Sequence, residues 1–493
     1  MFERITPEQA GISSRKVAEY IAMLERRGLA THSVLMMKGD KIFAECYWAP
    51  FNKDFCHRMY SQTKSYVGIA IGLLVDDGKL DLDAKIASFF PEKIDKPLAP
   101  ELAEQTVRQM LTMTTCGKSP SWFRSEDPDR THLYFQPREK YRPAGTLWEY
   151  DSPGSQVLTN LVEKLAGKKL FDFMYERMFS HMGTFQTAKI LQTPNGDSWG
   201  DSALLCTTRD MASFGRLLMK NGNWNGKQLI SEAYVKEATS KVVDNRQDAH
   251  GDFWSRGYGY QIWRTDYNSF GFNGMGCQMT VCCPDKDVLF TITSDNQGNP
   301  TAKNSIIGGV MDLILSEISD EPLPADKEAE AQLANVTKDL KLRAVQGEAD
   351  SSLREEVSGV TYVCEENPLG MERFCFQFNG TDEGEFHYTN AQGDKVIPFG
   401  INKNVFGKFP QLGYANEKGR VPTTDGFMYD DAVSLCWAQE NRILMYIQII
   451  DQYFGNCSAT FGFSGDYVTC HFERAAEHFL TEYEGEFVAK RTE

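Results

Sequence analysis

Basic residues are in short supply. The 493-residue chain carries 52 Lys+Arg against 68 Asp+Glu, a formal charge of −16, and no run of Lys or Arg offsets this locally. Nonspecific affinity for nucleic acid comes from such cations, so the balance argues against a nucleic-acid partner. Long hydrophobic runs are missing as well: the longest, residues 66–75, is about half of what a membrane-spanning helix needs. Histidine is scarce, with eight scattered copies and no H-E-x-x-H. No C-x-x-C, G-x-G-x-x-G or G-x-x-x-x-G-K-[ST] occurs, so no metal, dinucleotide or phosphate-loop cofactor is expected. The twelve cysteines lack any ligand spacing, and the adjacent Cys282-Cys283 lies in a strand-like run. They read as reduced core thiols. The opening Met1-Phe2-Glu3-Arg4-Ile5-Thr6-Pro7 has neither a basic nor an apolar leader region. The expectation is a cytoplasmic protein with a small-molecule partner, no membrane partner and an open oligomeric state.

What is present is ordinary globular material, 41% hydrophobic and 24% charged, and enough of it for more than one core. Residues 13–27 have helical periodicity behind an N-capping Ser13, and Gly28 closes them. Residues 33–48 read as two strands around Gly39-Asp40, and 65–75 as a buried helix ended by Asp76-Asp77-Gly78. Helices are expected at 106–112, 153–165, 171–181 and 208–221, strands from 257 to 294, and a last helix at 306–318. Early strands, a helical middle and late strands predict one sheet built from both ends of this region, an α/β (α+β) domain over 1–320. A charged, Ala-rich helical linker follows at 321–354. From 355 to 493 short alternating strands recur at 361–365, 373–379, 385–389, 433–439, 442–450, 458–463 and 467–472, with a closing helix at 475–483. That spacing predicts an antiparallel barrel. Its aromatic residues, Trp437, Tyr446, Tyr453, Phe454, Phe461 and Phe463 among them, read as core rather than as a ligand cup.

The sharpest chemical signal is Ser61-Gln62-Thr63-Lys64, running straight into the apolar helix. One helical turn separates Ser61 from Lys64, which places ammonium and hydroxyl on one face. A helix N-terminus favours a developing alkoxide, and apolar surroundings would let Lys64 act as a base. S-x-x-K alone is weak, since Ser13-Ser14-Arg15-Lys16 also fits; that copy caps a helix and reads as structural.

The wider pattern decides between them. Pro143 to Pro153 carries Tyr150 on a turn before a helix. Two segments, 76–83 (Asp76-Asp77-Gly78-Lys79-Leu80-Asp81-Leu82-Asp83) and 106–115 (Thr106-Val107-Arg108-Gln109-Met110-Leu111-Thr112-Met113-Thr114-Thr115), precede it, and two, 201–212 (opening Asp201-Ser202-Ala203-Leu204-Leu205-Cys206-Thr207) and Gly257-Tyr258-Gly259-Tyr260, follow it. Together these resemble the serine β-lactamase and penicillin-binding-protein superfamily, in its class C and esterase branch, over about 1–320. The barrel is similar to the lipocalin-like β-domains appended to some members. The resemblance implies a β-lactamase-like catalytic domain with an antiparallel sheet flanked by helices. It also implies that Ser61 is an acylated nucleophile, with Lys64 and Tyr150 as general base and acid in an order left open, and that the Ser61 N–H forms half of an oxyanion hole.

Departures from the family pattern narrow the substrate. At Tyr150-Asp151-Ser152, Ser152 stands where the family has an amide. In Gly274-Met275-Gly276-Cys277-Gln278, Met275 occupies the place of the third motif's basic residue, and Gln278 is where a strand N–H would complete the oxyanion hole. Ser152, Met275, Cys277 and Gln278 are the candidate oxyanion and substrate residues, with Phe272-Asn273-Gly274 as the other register. Neither register supplies a cation, so penicillin turnover is not expected; small esters, amides or D-amino-acid peptides are. Acyl transfer through the same acyl-enzyme, and a non-catalytic binding protein of the same fold, are the alternatives. Gly196-Asp197-Ser198-Trp199-Gly200 matches a nucleophile elbow but follows a loop, and its downstream histidine would have to be His250, so it reads as a decoy. His57 reads as a strand-end surface residue.

Overall fold

The computed structural model describes residues 2–246, 252–411, 428–477 and 480–492. The chain divides into two compact units, residues 1–296 with 301–341 and residues 297–300 with 342–493.

In the first unit, strands β1 (Glu3–Arg4), β2 (Thr31–Lys38), β3 (Lys41–Tyr47), β4 (Trp263–Arg264), β5 (Phe270–Gly274), β6 (Gln278–Cys283) and β7 (Val288–Ser294) form one sheet. Their order is β1-β3-β2-β7-β6-β5-β4. All neighbours are antiparallel except β1 and β3. The β2–β7 ladder, with Phe290 opposite Met36, joins the two ends of the region as the strand pattern predicts. Along β2, Val34 and Met36 enter one core while Leu35 and Met37 enter the other. Burial on both faces is why β2 reads as a continuous apolar run rather than an alternating one.

Helices cover both faces. On one side lie α1 (Ser14–Arg26) and the helix opened by α5 (Ala302–Gly309), with α6 (Lys327–Thr337) packed on α1. On the other lie α2 (Thr63–Asp76), α3 (Ser152–Ala166) and α4 (Thr208–Met219). Ser13 caps α1 by accepting from the Arg15 N–H. Every α2 residue from Thr63 to Leu74 is buried, so this helix has no polar stripe. Two glycines let its neighbours close in. A Cβ on Gly68 would lie 2.5 Å from the Tyr260 carbonyl oxygen, and one on Gly72 would lie 2.3 Å from the Tyr234 ring.

The second unit is a barrel of ten strands: β8 (Thr361–Cys364), β9 (Arg373–Asn379), β10 (Glu383–Asn390), β11 (Gly393–Ile401), β12 (Val405–Lys408), β13 (Asp430–Gln439), β14 (Arg442–Ile450), β15 (Phe454–Ser464), β16 (Tyr467–Ala476) and β17 (Gly485–Arg491). They run β11-β10-β9-β8-β17-β16-β15-β14-β13-β12, and a short parallel pairing of β11 with β13 closes nine of them into a ring. Phe374, Phe376, Phe386 and Phe461 pack ring to ring inside, at centroid separations of 4.9–6.0 Å. The aromatic residues are core, as expected. The closing helix expected at 475–483 is not observed. Ala475 and Ala476 end β16, residues 478 and 479 lie outside the described residues, and the last element is strand β17. All twelve cysteines are free thiols, nine of them buried. Among the described residues no helix is long and apolar enough to cross a membrane.

Candidate active site

Ser61 sits in a 3-10 turn, Tyr60–Gln62, that runs directly into α2. The turn is tied down on all sides. The Met59 N–H donates to the Leu204 carbonyl at 2.8 Å. The Thr63 hydroxyl donates to the Tyr60 carbonyl at 2.7 Å and accepts from the Leu204 N–H at 3.1 Å. The Thr280 hydroxyl donates to the Gln62 side-chain oxygen at 2.8 Å. Tyr60 holds a left-handed φ of +47°, a strained conformation for a bulky residue. The fully buried Arg58 guanidinium lies 4.3 Å over its ring and keeps it there. Backbone strain beside a reactive side chain survives only when the surroundings over-determine it, as they do here.

The Lys64 ammonium donates to Ser61 Oγ at 2.9 Å and to the Asp201 carbonyl at 2.6 Å, and it lies 3.8 Å from the Asp201 carboxylate. Lys64 is buried while Ser61 is half-exposed, so the hydroxyl can be reached from solvent and the lysine cannot. The Tyr150 ring centre stands 5.2 Å from Lys64 Nζ. Tyr150 stacks on Trp263 at 5.9 Å, and Trp148 braces both rings. The three residues singled out from the sequence therefore converge.

Asp151, next to Tyr150, is buried. Burial pushes its carboxyl above the usual carboxylate range, while Arg138, Ser119 and the Gly154 N–H pull the other way. Ser152 opens α3 and is half-buried. Met275 and Cys277 form the hairpin tip between β5 and β6, with Met275 exposed and Cys277 buried. Burial raises the Cys277 thiol to about 12, so no thiolate nucleophile stands there. The buried Gln278 amide donates to the Met275 and Ser294 carbonyls and accepts from the Ser294 N–H, which makes its side chain a clamp on the tip. Gly274 is the residue that meets the nucleophile turn: a Cβ there would lie 2.2 Å from the Met59 carbonyl oxygen. That approach favours Phe272-Asn273-Gly274 as the segment beside Ser61.

Three participants went unrecognised in the sequence. Asp201 and Arg130 lie behind Lys64, and Gln261 joins the helices. The Ser65 hydroxyl donates to the Gln261 carbonyl and the Ser155 hydroxyl to its side-chain oxygen, while the Gln261 amide donates to the Met110 and Leu111 carbonyls. This one residue fixes α2, carrying Lys64, against α3, which follows Tyr150. Its left-handed φ of +60° is a tertiary demand with no local sequence signal.

His57 is a correction. It is buried rather than on the surface, donating to the Arg58 carbonyl at 2.9 Å and accepting from His32 Nδ1 at 2.8 Å. Ser198 donates to Glu163 at 2.6 Å in a loop with no elbow, and His250 lies outside the described residues.

The family model described as Beta-lactamase matches residues 14–307, more than half of the chain. The chain belongs to the beta-lactamase family. It is a hydrolase of that type. Among curated proteins this family member is 24% identical over 293 residues to a 6-aminohexanoate-dimer hydrolase of Paenarthrobacter ureafaciens, covering 55% of this chain and 74% of that one. Among solved structures it resembles a putative 6-aminohexanoate-dimer hydrolase from Bacillus anthracis, with a TM-score of 0.52, 19% identity, and 64% and 86% of the two chains covered. It also resembles an octameric penicillin-binding protein homologue from Pyrococcus abyssi, with a TM-score of 0.50, 14% identity, and 96% and 99% covered. At these identities the structural likenesses establish the fold, and the last spans both units.

Proposed function

We propose that this protein hydrolyses small esters and amides, D-amino-acid peptides among them, through an acyl-enzyme on Ser61. The observation that carries the reading is the 2.9 Å contact between Ser61 Oγ and an otherwise buried lysine, with a tyrosine ring beside it. Ser61 Oγ bonds to the substrate carbonyl carbon, and its proton passes to the Lys64–Tyr150 pair. The tetrahedral oxyanion takes hydrogen bonds from the backbone N–H groups of Ser61 and of the segment after Gly274. As the bond to the leaving alcohol or amine breaks, the pair returns the proton to it. Water then repeats the sequence on the ester, releasing the acid and restoring Ser61.

The substrate limit follows from the third segment. Phe272 is buried, and Met275 presents a thioether to solvent. Neither is a cation for a substrate carboxylate, so a penicillin loses the ion pair that would orient it. The linear amide in the name of the Paenarthrobacter ureafaciens relative supports the amide half of the reading.

Intact-protein mass spectrometry after exposure to a fluorophosphonate tests this. One adduct on the wild type and none on Ser61→Ala is expected. A folded wild type that takes no adduct would overturn the acyl-enzyme reading.

A further inference from the structure

Behind the reacting pair lies a charged arrangement that the acyl-enzyme chemistry does not by itself require. Asp201 touches Lys64 twice, through its carbonyl at 2.6 Å and its carboxylate at 3.8 Å. On its far side the Arg130 guanidinium stands 3.9 Å from the same carboxylate. Arg130 lies against two indoles set nearly at right angles, 3.4 Å from the Trp122 ring centre and 4.7 Å from that of Trp199. The side chains of Lys64, Asp201 and Arg130 are 2%, 3% and 4% exposed, so water screens none of these charges.

A buried carboxylate flanked by two cations is costly unless all three are mutually placed. A lysine needed only as a hydrogen-bond donor could use the carbonyl alone. We infer that Asp201 and Arg130 are positioning residues that act as a charge balance on Lys64: Asp201 holds the ammonium on Ser61, and Arg130 offsets Asp201 so that Lys64 can still exchange a proton. The inference rests on the reading of Ser61 and Lys64 as the reacting pair. The charged and titratable groups against Lys64 are Tyr150 from the segment before α3, Asp201 from the turn before strand Leu204–Cys206, and Arg130 one step beyond, from the short helix Arg130–Tyr134. Ser61 completes the set from its own element.

The two residues must act on Lys64 with opposite sign, and no merely structural role does that. The test is an NMR titration of the full-length protein labelled with [13C]lysine, the Lys64 signal being assigned by its absence from Lys64→Met. Asp201→Asn keeps the shape and the carbonyl contact but removes the charge. It should move the Lys64 midpoint to lower pH by about one unit. Arg130→Met keeps a stem against the indoles and removes the guanidinium's charge from beside Asp201, so it should move the midpoint up. The pH–rate profile of fluorophosphonate labelling should follow each shift. Both midpoints moving the same way, or neither moving, would overturn the inference. Should Asp201→Asn fail to fold, Arg130→Met decides alone, because an unmoved or lowered midpoint contradicts the balance. Opposite shifts in a protein whose Ser61 takes no label would uphold the charge balance while overturning the acyl-enzyme reading.

Discussion

At Ser61 the hydroxyl is half-exposed, its lysine is sealed away, and a tyrosine stacked on Trp263 stands above both. The division of labour follows from burial. On the proposed mechanism the hydroxyl that meets substrate is open, and the lysine that moves its proton is shielded from water and keeps its geometry. Lys64→Met removes the contact at 2.9 Å and should slow fluorophosphonate labelling by on the order of a thousandfold, with the circular-dichroism spectrum unchanged. Tyr150→Phe keeps the stacking and loses only the hydroxyl. It should cost about a hundredfold or more, and an unaltered labelling rate would remove Tyr150 from the proton path. Ser61 and Lys64 were legible as candidates because their spacing is local, and Tyr150 because its segment belongs to an ordered series of motifs. Asp201, Arg130 and Gln261 were not, because their roles come from pairings of 137, 71 and 196 residues' separation, which leave no periodic trace.

The elements explain why that geometry holds. α2 is buried on every side from Thr63 to Leu74, so it is a core helix, and its burial aims its N-terminus at the site. The glycine at the end of β5 matters for the same reason. Gly274→Ala would place a Cβ 2.2 Å from the Met59 carbonyl oxygen, so either β5 or the nucleophile turn must move. Acylation should fall by on the order of a hundredfold, while the thermal midpoint drops far less than for an α2 core truncation. A labelling rate equal to wild type would show that the turn tolerates the displacement.

Helices α1 to α4 and most strands were readable from period and caps, such as Ser13 before α1 and Thr207 before α4. Three barrel strands were not. Gly393–Ile401 contains Pro398 and two glycines, Val405–Lys408 is only four residues long, and Gly485–Arg491 carries three charges. Each lacks a strand's usual composition and is a strand because a neighbouring strand of the barrel pairs with it.

Over the whole molecule, the two units answer to pH in opposite ways. In the catalytic unit the buried His57 is held down to about 3 by desolvation, and burial lowers His32 too. Between about pH 6.5 and 3 the unfolded chain binds a proton at His57 that the folded one does not. Stability is therefore present above that window and is lost as pH falls through it, by about 1.4 kcal/mol per pH unit for each such histidine. In the barrel, burial raises Asp431 to about 7. Here the folded state holds the extra proton, so stability is present at low pH and is lost as pH rises toward 7. Urea unfolding followed separately for the two units should show the catalytic unit weakening from pH 7 to 5 and the barrel firming. Asp431→Asn should stabilise the barrel at pH 8 by up to about 4 kcal/mol. A common pH dependence of both transitions would contradict these assignments.

The measurement closest to the central claim traps the intermediate itself. Acid quenching of the full-length protein during turnover of p-nitrophenyl acetate, followed by tryptic mass spectrometry, should find one acetyl group on the peptide Met59–Lys64, at Ser61. The acetyl group should build up in a burst with released nitrophenol and be absent in Ser61→Ala. Turnover with that peptide unmodified, or an acetyl group on another residue that survives Ser61→Ala, would contradict an acyl-enzyme at Ser61.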